Sequence, residues 1–191
     1  VNIRTVEQAE TSKFNILNII QDEVKLDIGQ ATEVGGRLAA MSLDYACHDL
    51  MQGKLDALVT NPINKKNIQS DKFNFPGHTE YLTNKFGVEE SLMIMTCHDL
   101  HIGIMTNHLS LSQVPKVLDR ELILRKLQVM DSSLKRDFGI RIPKIAVLAL
   151  NPHAGDRGLI GTEDDSIVPP PIRQAFDNGI LAFGPYPADG F

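Results

Sequence analysis

A mixed α/β fold, with helices packed on a mostly parallel sheet, is what three features of the sequence predict. Short apolar, β-branched runs alternate with stretches of helical periodicity. The strongest run, KIAVLAL at 144–150, reads as a buried strand, and no internal repeat, low-complexity tract or linker interrupts the 191 residues. The composition agrees, being 42% hydrophobic and 23% charged, which is globular and sized for one domain or slightly more.

Residues 14–20 (FNILNII) suit a short strand. Across 32–52, Val34, Leu38, Met41 and Tyr45 recur at intervals of four, three and four, the spacing of a helix with one buried stripe, which Gly53 closes. Residues 56–60 (DALVT) form a compact candidate for a buried strand. Pro62 breaks the pattern within Asn61-Pro62-Ile63-Asn64-Lys65-Lys66 and Phe75-Pro76-Gly77 breaks it again, after which 80–86 reads as a short helix. Two runs, 92–96 (LMIMT) and 102–106 (IGIMT), are too close together for a parallel crossover and should form an antiparallel hairpin. Between 111 and 138, Ile123, Leu127, Met130, Leu134 and Phe138 recur at four, three, four and four, marking the longest amphipathic helix. The strand at 144–150 leads into a glycine-rich polar loop over 151–165. Pro169-Pro170-Pro171 then opens a short helix ending near Gly179, and residues 184–191 read as turns.

Several function classes are disfavoured. Acidic side chains outnumber basic ones by 24 to 19, giving a net charge of −5, and no Lys/Arg block suggests a nucleic-acid partner. No run approaches the roughly 18 apolar residues of a membrane span. Two cysteines, Cys47 and Cys97, make no disulfide framework and read as buried small apolar residues, so a reducing, cytoplasmic setting is expected. The chain starts at Val1 and stops within a turn-like run, so it is expected to be a piece of a longer protein.

Three predicted strands end in polar turns carrying Asn or His: Asn61-Pro62 after 56–60, Asn107-His108 after 102–106, and Asn151-Pro152-His153 after 144–150. Ligands in such folds collect at the carboxyl ends of strands. If these ends share one rim, His108 and His153 are candidate ligands for a divalent metal; singly, each is more often an ordinary solvated or hydrogen-bonded loop histidine, and the pair balances the two readings. His48, His98 and His101 read as surface residues. Gly77-His78-Thr79-Glu80 precedes a helix, where an anion is favoured, although Thr79 as a plain N-cap explains the same pattern. The segment 154–161 has the glycine content of a phosphate cradle but fits neither the dinucleotide fingerprint nor the P-loop, and reads locally as a loop.

The runs Asp56 through Lys65 (DALVTNPINK), Pro76-Gly77-His78-Thr79-Glu80-Tyr81-Leu82, Thr106-Asn107-His108-Leu109-Ser110-Leu111 and Leu150-Asn151-Pro152-His153-Ala154-Gly155 occur in this order. Together with Gly184-Pro185 and Pro187-Ala188-Asp189, they make the chain from about Gly29 onward resemble the 4-hydroxythreonine-4-phosphate dehydrogenases of pyridoxal phosphate biosynthesis. The resemblance implies a fold like that of isocitrate and isopropylmalate dehydrogenases, with residues 1–191 as the central portion of a two-domain enzyme lacking the family's N- and C-terminal segments. It implies a homodimer with the active site at the interface, and substrate contacts from His78 and Thr79. It further implies metal ligation by His108 and His153, with a third histidine outside this chain, and an active-site role for Asp189. Asn61 and Lys65 border the same rim.

The activity so implied is oxidation of 4-phosphooxy-L-threonine with NAD or NADP, assisted by a divalent metal (zinc, magnesium, manganese or cobalt), and followed by decarboxylation. Three alternatives stand beside it. One is a dehydrogenase of erythronate or threonate 4-phosphate. Another is a metal-dependent hydrolase with Asp189 or Glu163 as base. The last is a non-enzymatic dimerising or metal-binding module.

Overall fold

The computed structural model describes residues 1–21, 23–25 and 27–191. These form two compact units, Val1–Glu89 and Glu90–Phe191.

In the first unit, β1 (Asn2–Ile3) pairs in parallel with β2 (Ile16–Leu17), the short core of the strand expected over 14–20. Helix α1 (Glu33–Met51) begins where the sequence places it, because the Thr32 side chain accepts a hydrogen bond from the Gly35 N–H at 3.1 Å. Its buried face is another one, however. Val34 and Tyr45 are exposed, while Gly36, Leu43 and Cys47 are buried. Close approach accounts for part of the difference: a Cβ on Gly36 would stand 1.9 Å from the Asn67 carbonyl oxygen, so the face that carries Gly36, Leu43 and Cys47 turns inward in place of the one that carries Val34 and Tyr45. Residues 56–60 have no ladder partner among the described residues and Val59 is 95% exposed, so the expected buried strand does not form there. Downstream, Ile68, Phe73 and Tyr81 are buried. Phe73 stacks on Tyr81 at 4.9 Å and Phe75 meets the same ring edge-on at 5.5 Å, contacts worth about 0.5–1.5 kcal/mol each beyond their burial. Tyr81 belongs to α2 (His78–Phe86), which ends at Gly87 in the left-handed conformation.

The second unit opens with β3 (Met93–Cys97) and β4 (Leu100–Ile104), the expected antiparallel hairpin, with the second strand two residues earlier than read. Cys97 is exposed there, unlike Cys47, and His101 lies within β4, half-buried with its ring 4.3 Å from that of Phe138. The long helix read over 111–138 is divided. A short α3 (Val114–Val117) stops at Leu118, and α4 (Arg120–Arg136) restarts where Asp119 accepts from the Leu122 N–H at 2.7 Å. Ile123, Leu127, Met130 and Leu134 form its buried stripe as expected, whereas Phe138 falls past the end and is 39% exposed.

Strand β5 (Lys144–Leu148) runs parallel to β6 (Leu181–Tyr186), connected through α5 (Glu163–Ser166) and α6 (Pro169–Asp177), whose proline-first start the sequence indicates. Ile145 and Val147 alternate inward to the cluster that Leu127, Ile172, Ala175 and Ala182 complete. β6 replaces part of the run read as turns. It carries two residues that strands seldom hold, and Gly184 is needed because a Cβ would meet the Val147 carbonyl oxygen at 2.4 Å. Lys126, buried on α4, donates to the Ser91 carbonyl and pairs with Glu90 at 2.7 Å. Burial alone would raise the Glu90 carboxyl; the hydrogen bond and charge of Lys126 outweigh it and hold it low. The class is thus mixed α/β with parallel and antiparallel pairing, realised among the described residues as three two-stranded ladders.

Candidate functional site

Because β5 and β6 are parallel neighbours, their carboxyl ends lie at the same edge, and each delivers a polar turn there. Past β5, Pro152–Gly158 form a tight turn holding His153; past β6, Ala188–Gly190 form a one-turn helix holding Asp189. The two meet. Asp189 accepts from the His153 backbone N–H through Oδ1 at 3.1 Å, and its Oδ2 lies 2.5 Å from Nδ1 of the His153 ring. A carboxylate only accepts, so Nδ1 carries the proton, and in the neutral ring Nε2 is left as the lone-pair donor. This is the way a carboxylate orients a histidine for a metal ion, and the donor chemistry at His153 therefore fits a divalent cation. The Asp189 carboxyl is held below its ordinary range, first by the His153 backbone N–H and then by its own.

The turn is unusual in its backbone. His153, Ala154, Gly155, Asp156 and Arg157 all lie in the left-handed region, with φ of 51°, 53°, 77°, 44° and 55°. For a non-glycine residue that conformation costs about 1–2 kcal/mol, and four of the five bear a side chain. Such a run survives only where its surroundings over-determine it. Here they do: Ile160 N–H bonds back to the Gly155 carbonyl at 3.0 Å, and a Cβ on Gly155 would stand 2.6 Å from the Gly161 carbonyl oxygen. Below the turn, the Asp164 carboxylate, 2% exposed, accepts from the backbone N–H groups of Leu150 at 2.7 Å and Asn151 at 2.9 Å, and from the Asn151 side chain at 3.0 Å. Asn151 also donates to Glu163 at 3.0 Å, and the Glu163 carboxyl is held low by its own backbone N–H and then by Asn151.

His108 follows β4, is exposed and also has positive φ, 52°. β4 and β5 belong to separate ladders, so sheet pairing does not by itself put His108 beside His153, and no group of three or more His, Cys, Asp or Glu is gathered for a metal among the described residues. In the first unit, His78 and Thr79 are the first two residues of α2. The N-cap is Gly77, not Thr79. Glycine has no side chain with which to bond the first-turn N–H groups, so these and the positive dipole end remain suited to an anion. Two side chains border that start: the Glu80 Oε2 lies 3.5 Å, and the Lys65 Cε 3.9 Å, from where a Cβ on Gly77 would be, so a carboxylate of the chain itself already shares the position with a cation. Asn61 is exposed and lies outside any helix or strand. Of the other histidines, His48 is exposed beside Gln52 and His98 occupies the hairpin turn.

The two hydrolase bases considered from the sequence are both engaged, Asp189 by His153 and Glu163 by Asn151. Sequence reasoning missed β6 and Asp164. The signal for Asp164 was slight, an acidic residue at a short helix start after a glycine-rich segment.

Residues 1–191 match the family described as "Pyridoxal phosphate biosynthetic protein PdxA". The chain belongs to the PdxA family. The match starts at residue 1, so the likeness reaches further toward the N-terminus than the motifs indicate. A 4-hydroxythreonine-4-phosphate dehydrogenase of Bacteroides thetaiotaomicron is 40% identical over 190 residues, which are 99% of this chain and 52% of that relative. A Bradyrhizobium diazoefficiens relative, provisionally named a D-threonate 4-phosphate dehydrogenase, is 37% identical over 155 residues, 81% of this chain and 45% of its own length. The crystal structure of the 4-hydroxythreonine-4-phosphate dehydrogenase from Klebsiella pneumoniae superposes with a TM-score of 0.88 at 30% identity, covering 99% of this chain and 59% of that one. This PdxA-family chain therefore has the fold of those dehydrogenases, akin to isocitrate and isopropylmalate dehydrogenases, and spans about half the length of the curated relatives it matches. Among its described residues no helix is long and apolar enough to cross a membrane.

Proposed function

We propose that this chain is the central part of an NAD- or NADP-dependent dehydrogenase that oxidises 4-phosphooxy-L-threonine in the cytoplasmic synthesis of pyridoxal phosphate. The product is 2-amino-3-oxo-4-phosphooxybutanoate, a β-keto acid that loses carbon dioxide to give 3-amino-2-oxopropyl phosphate. The observation that carries the proposal is the His153–Asp189 pair at the carboxyl ends of adjacent parallel strands, in a chain of this family.

His153, presenting Nε2, and His108 contribute ligands for a divalent cation, with the set completed across a homodimer. Zinc, magnesium, manganese and cobalt are each compatible with imidazole ligands. The cation, when bound, supplies a positive charge that acidifies the substrate hydroxyl. Asp189 keeps His153 in the ligating tautomer, and its charge stabilises that ring. His78 and Thr79 bind the substrate at the α2 N-terminus, where backbone N–H groups, the helix dipole and the Lys65 side chain suit an acid, with the Glu80 carboxylate at the same cap setting a limit on how much negative charge it takes. The nicotinamide accepts the hydride; the protein's share is placement and electrostatics.

The test is nicotinamide reduction by the full-length protein with 4-phosphooxy-L-threonine and each of the four metals. Metal-dependent reduction is expected, and turnover of the phosphorylated acid without any nicotinamide would replace the dehydrogenase with a hydrolase. The name of the Bradyrhizobium relative favours one second reading, oxidation of D-threonate 4-phosphate, which carries a hydroxyl where 4-phosphooxy-L-threonine carries an amine. A tenfold preference in kcat/KM for that acid would establish it.

A further inference from the structure

Asp164 is among the most buried side chains of the protein and, among the described residues, the only buried carboxylate bonded to the start of the His153 turn. We infer that Asp164 is a positioning residue for the metal ligand His153, acting through the backbone of Leu150 and Asn151. The inference rests on the reading of His153 as a ligand given above.

The chain from Asp164 to His153 is short and continuous. Both carboxylate oxygens are used: Oδ1 takes the Leu150 N–H at 2.7 Å, and Oδ2 takes the Asn151 N–H at 2.9 Å and the Asn151 side-chain amide at 3.0 Å. Three donors on one buried carboxylate fix the direction in which the chain leaves β5. Two residues later the backbone enters its left-handed run, and the Asn151 carbonyl accepts from the Ala154 N–H at 3.2 Å, closing the first turn of that run. His153 is thus held at two ends, by Asp164 through the strand exit and by Asp189 at its own N–H and ring. Removing the lower hold lets the turn relax toward right-handed backbone, which swings the imidazole away from Asp189. Asn151 doubles as a filler: a Cβ on Gly161 would come within 2.7 Å of its side-chain nitrogen, so the returning loop is closed against it.

The experiment uses cobalt(II) as the probe in the full-length protein, reading its visible absorption and its dissociation constant by titration. In Asp164→Asn, an amide replaces an oxygen that faces N–H donors, and cobalt affinity is expected to fall about ten- to a hundredfold with an altered band shape, the range seen when groups supporting a metal ligand are changed. Lys126→Met is the control, a buried ion pair of the same unit broken elsewhere; it is expected to lower thermal stability while leaving the cobalt constant within about twofold. Equal cobalt affinity in Asp164→Asn and the parent overturns the inference, as does an equal loss in Lys126→Met. Should Asp164→Asn not fold, Asn151→Ala carries the test, since it removes one of the three bonds: a threefold or larger loss of affinity supports the inference and an unchanged constant overturns it. His153→Ala separates the two levels. If it retains the parent cobalt spectrum, the reading of His153 as a ligand has failed, and the inference falls with it rather than on its own account.

Discussion

The two candidate binding elements are built in opposite ways. His153 stands in a run of left-handed residues that the backbone disfavours and that carboxylates must hold in place, whereas His78 and Thr79 stand in the first turn of an ordinary helix with a glycine cap. A metal ligand needs one nitrogen fixed in one direction, and a strained turn clamped at both ends has little freedom to offer another. An anion needs several N–H groups and a positive end, which any helix start supplies without strain. If the proposed roles hold, the PdxA-family chain spends conformational energy where direction matters and none where charge suffices.

That contrast can be broken by substitution. His153→Ala is expected to have the largest effect, with loss of metal retention in dialysed protein and a fall in turnover of at least about a hundredfold, measured by metal content and nicotinamide reduction. Full turnover would remove His153 from the metal site. His78→Ala should behave differently, keeping the metal while raising KM about tenfold, or about 1.4 kcal/mol of lost substrate binding. A fall in metal content there would merge the two elements into one.

The strain itself is testable at Ala154, whose φ is 53°. Glycine is at ease there, so Ala154→Gly should hold thermal stability or raise it by up to about 1 kcal/mol, against the usual loss for such a change. A loss of 1 kcal/mol or more would mean that the turn carries no strain.

The smallest effect belongs to the helix of the other element. Tyr81 and Lys85 of α2 both donate to Asp44 of α1, the Tyr81 hydroxyl at 3.0 Å. The Lys85 hydrogen bond chiefly, and that of Tyr81, lower the Asp44 carboxyl below its ordinary 3.8 against an opposing effect of burial, while burial and then Asp44 push the Tyr81 hydroxyl up. A lowered folded value means that this stabilisation is complete above pH 3.8 and is lost as the pH falls through the depressed value. Asp44 is more than half exposed, so Asp44→Asn should cost less than about 1 kcal/mol at neutral pH and flatten the acid limb of a stability profile. An unchanged acid limb would show that the pair does not couple.

Large residues at regular spacing were legible in the sequence and small ones were not. The α4 stripe emerges from Ile123, Leu127, Met130 and Leu134 because size and period agree. On α1 the same rule selects Val34 and Tyr45, both exposed, because a close helix contact is made through Gly36 and apolarity does not register the absence of a side chain. β6 hid behind Gly184 and Pro185, residues that ordinarily argue against a strand. The strand-end rule found His153 from position alone, and Asp189 followed from the family motif. Their contact depends on β5 and β6 being neighbours, a long-range fact that no local pattern carries. Nor did the glycines at 155 and 158 announce that residues 153–157 share a left-handed backbone.

The contact between His153 and Asp189 joins residues 36 apart in the chain, and it requires the crossover through α5 and α6 to be complete before the strands can lie side by side. Parallel pairing of this kind is slow to form because the loop must close before any contact rewards it. The pair is therefore a late event in the folding of the second unit, and if His153 ligates a metal as proposed, metal binding there should appear only after α6 has docked. On the proposal that His153 ligates a metal, a cell that supplies metal to the nascent chain gains nothing from early delivery at His153, and a substitution that slows the docking of α6 would delay activation without altering the finished site.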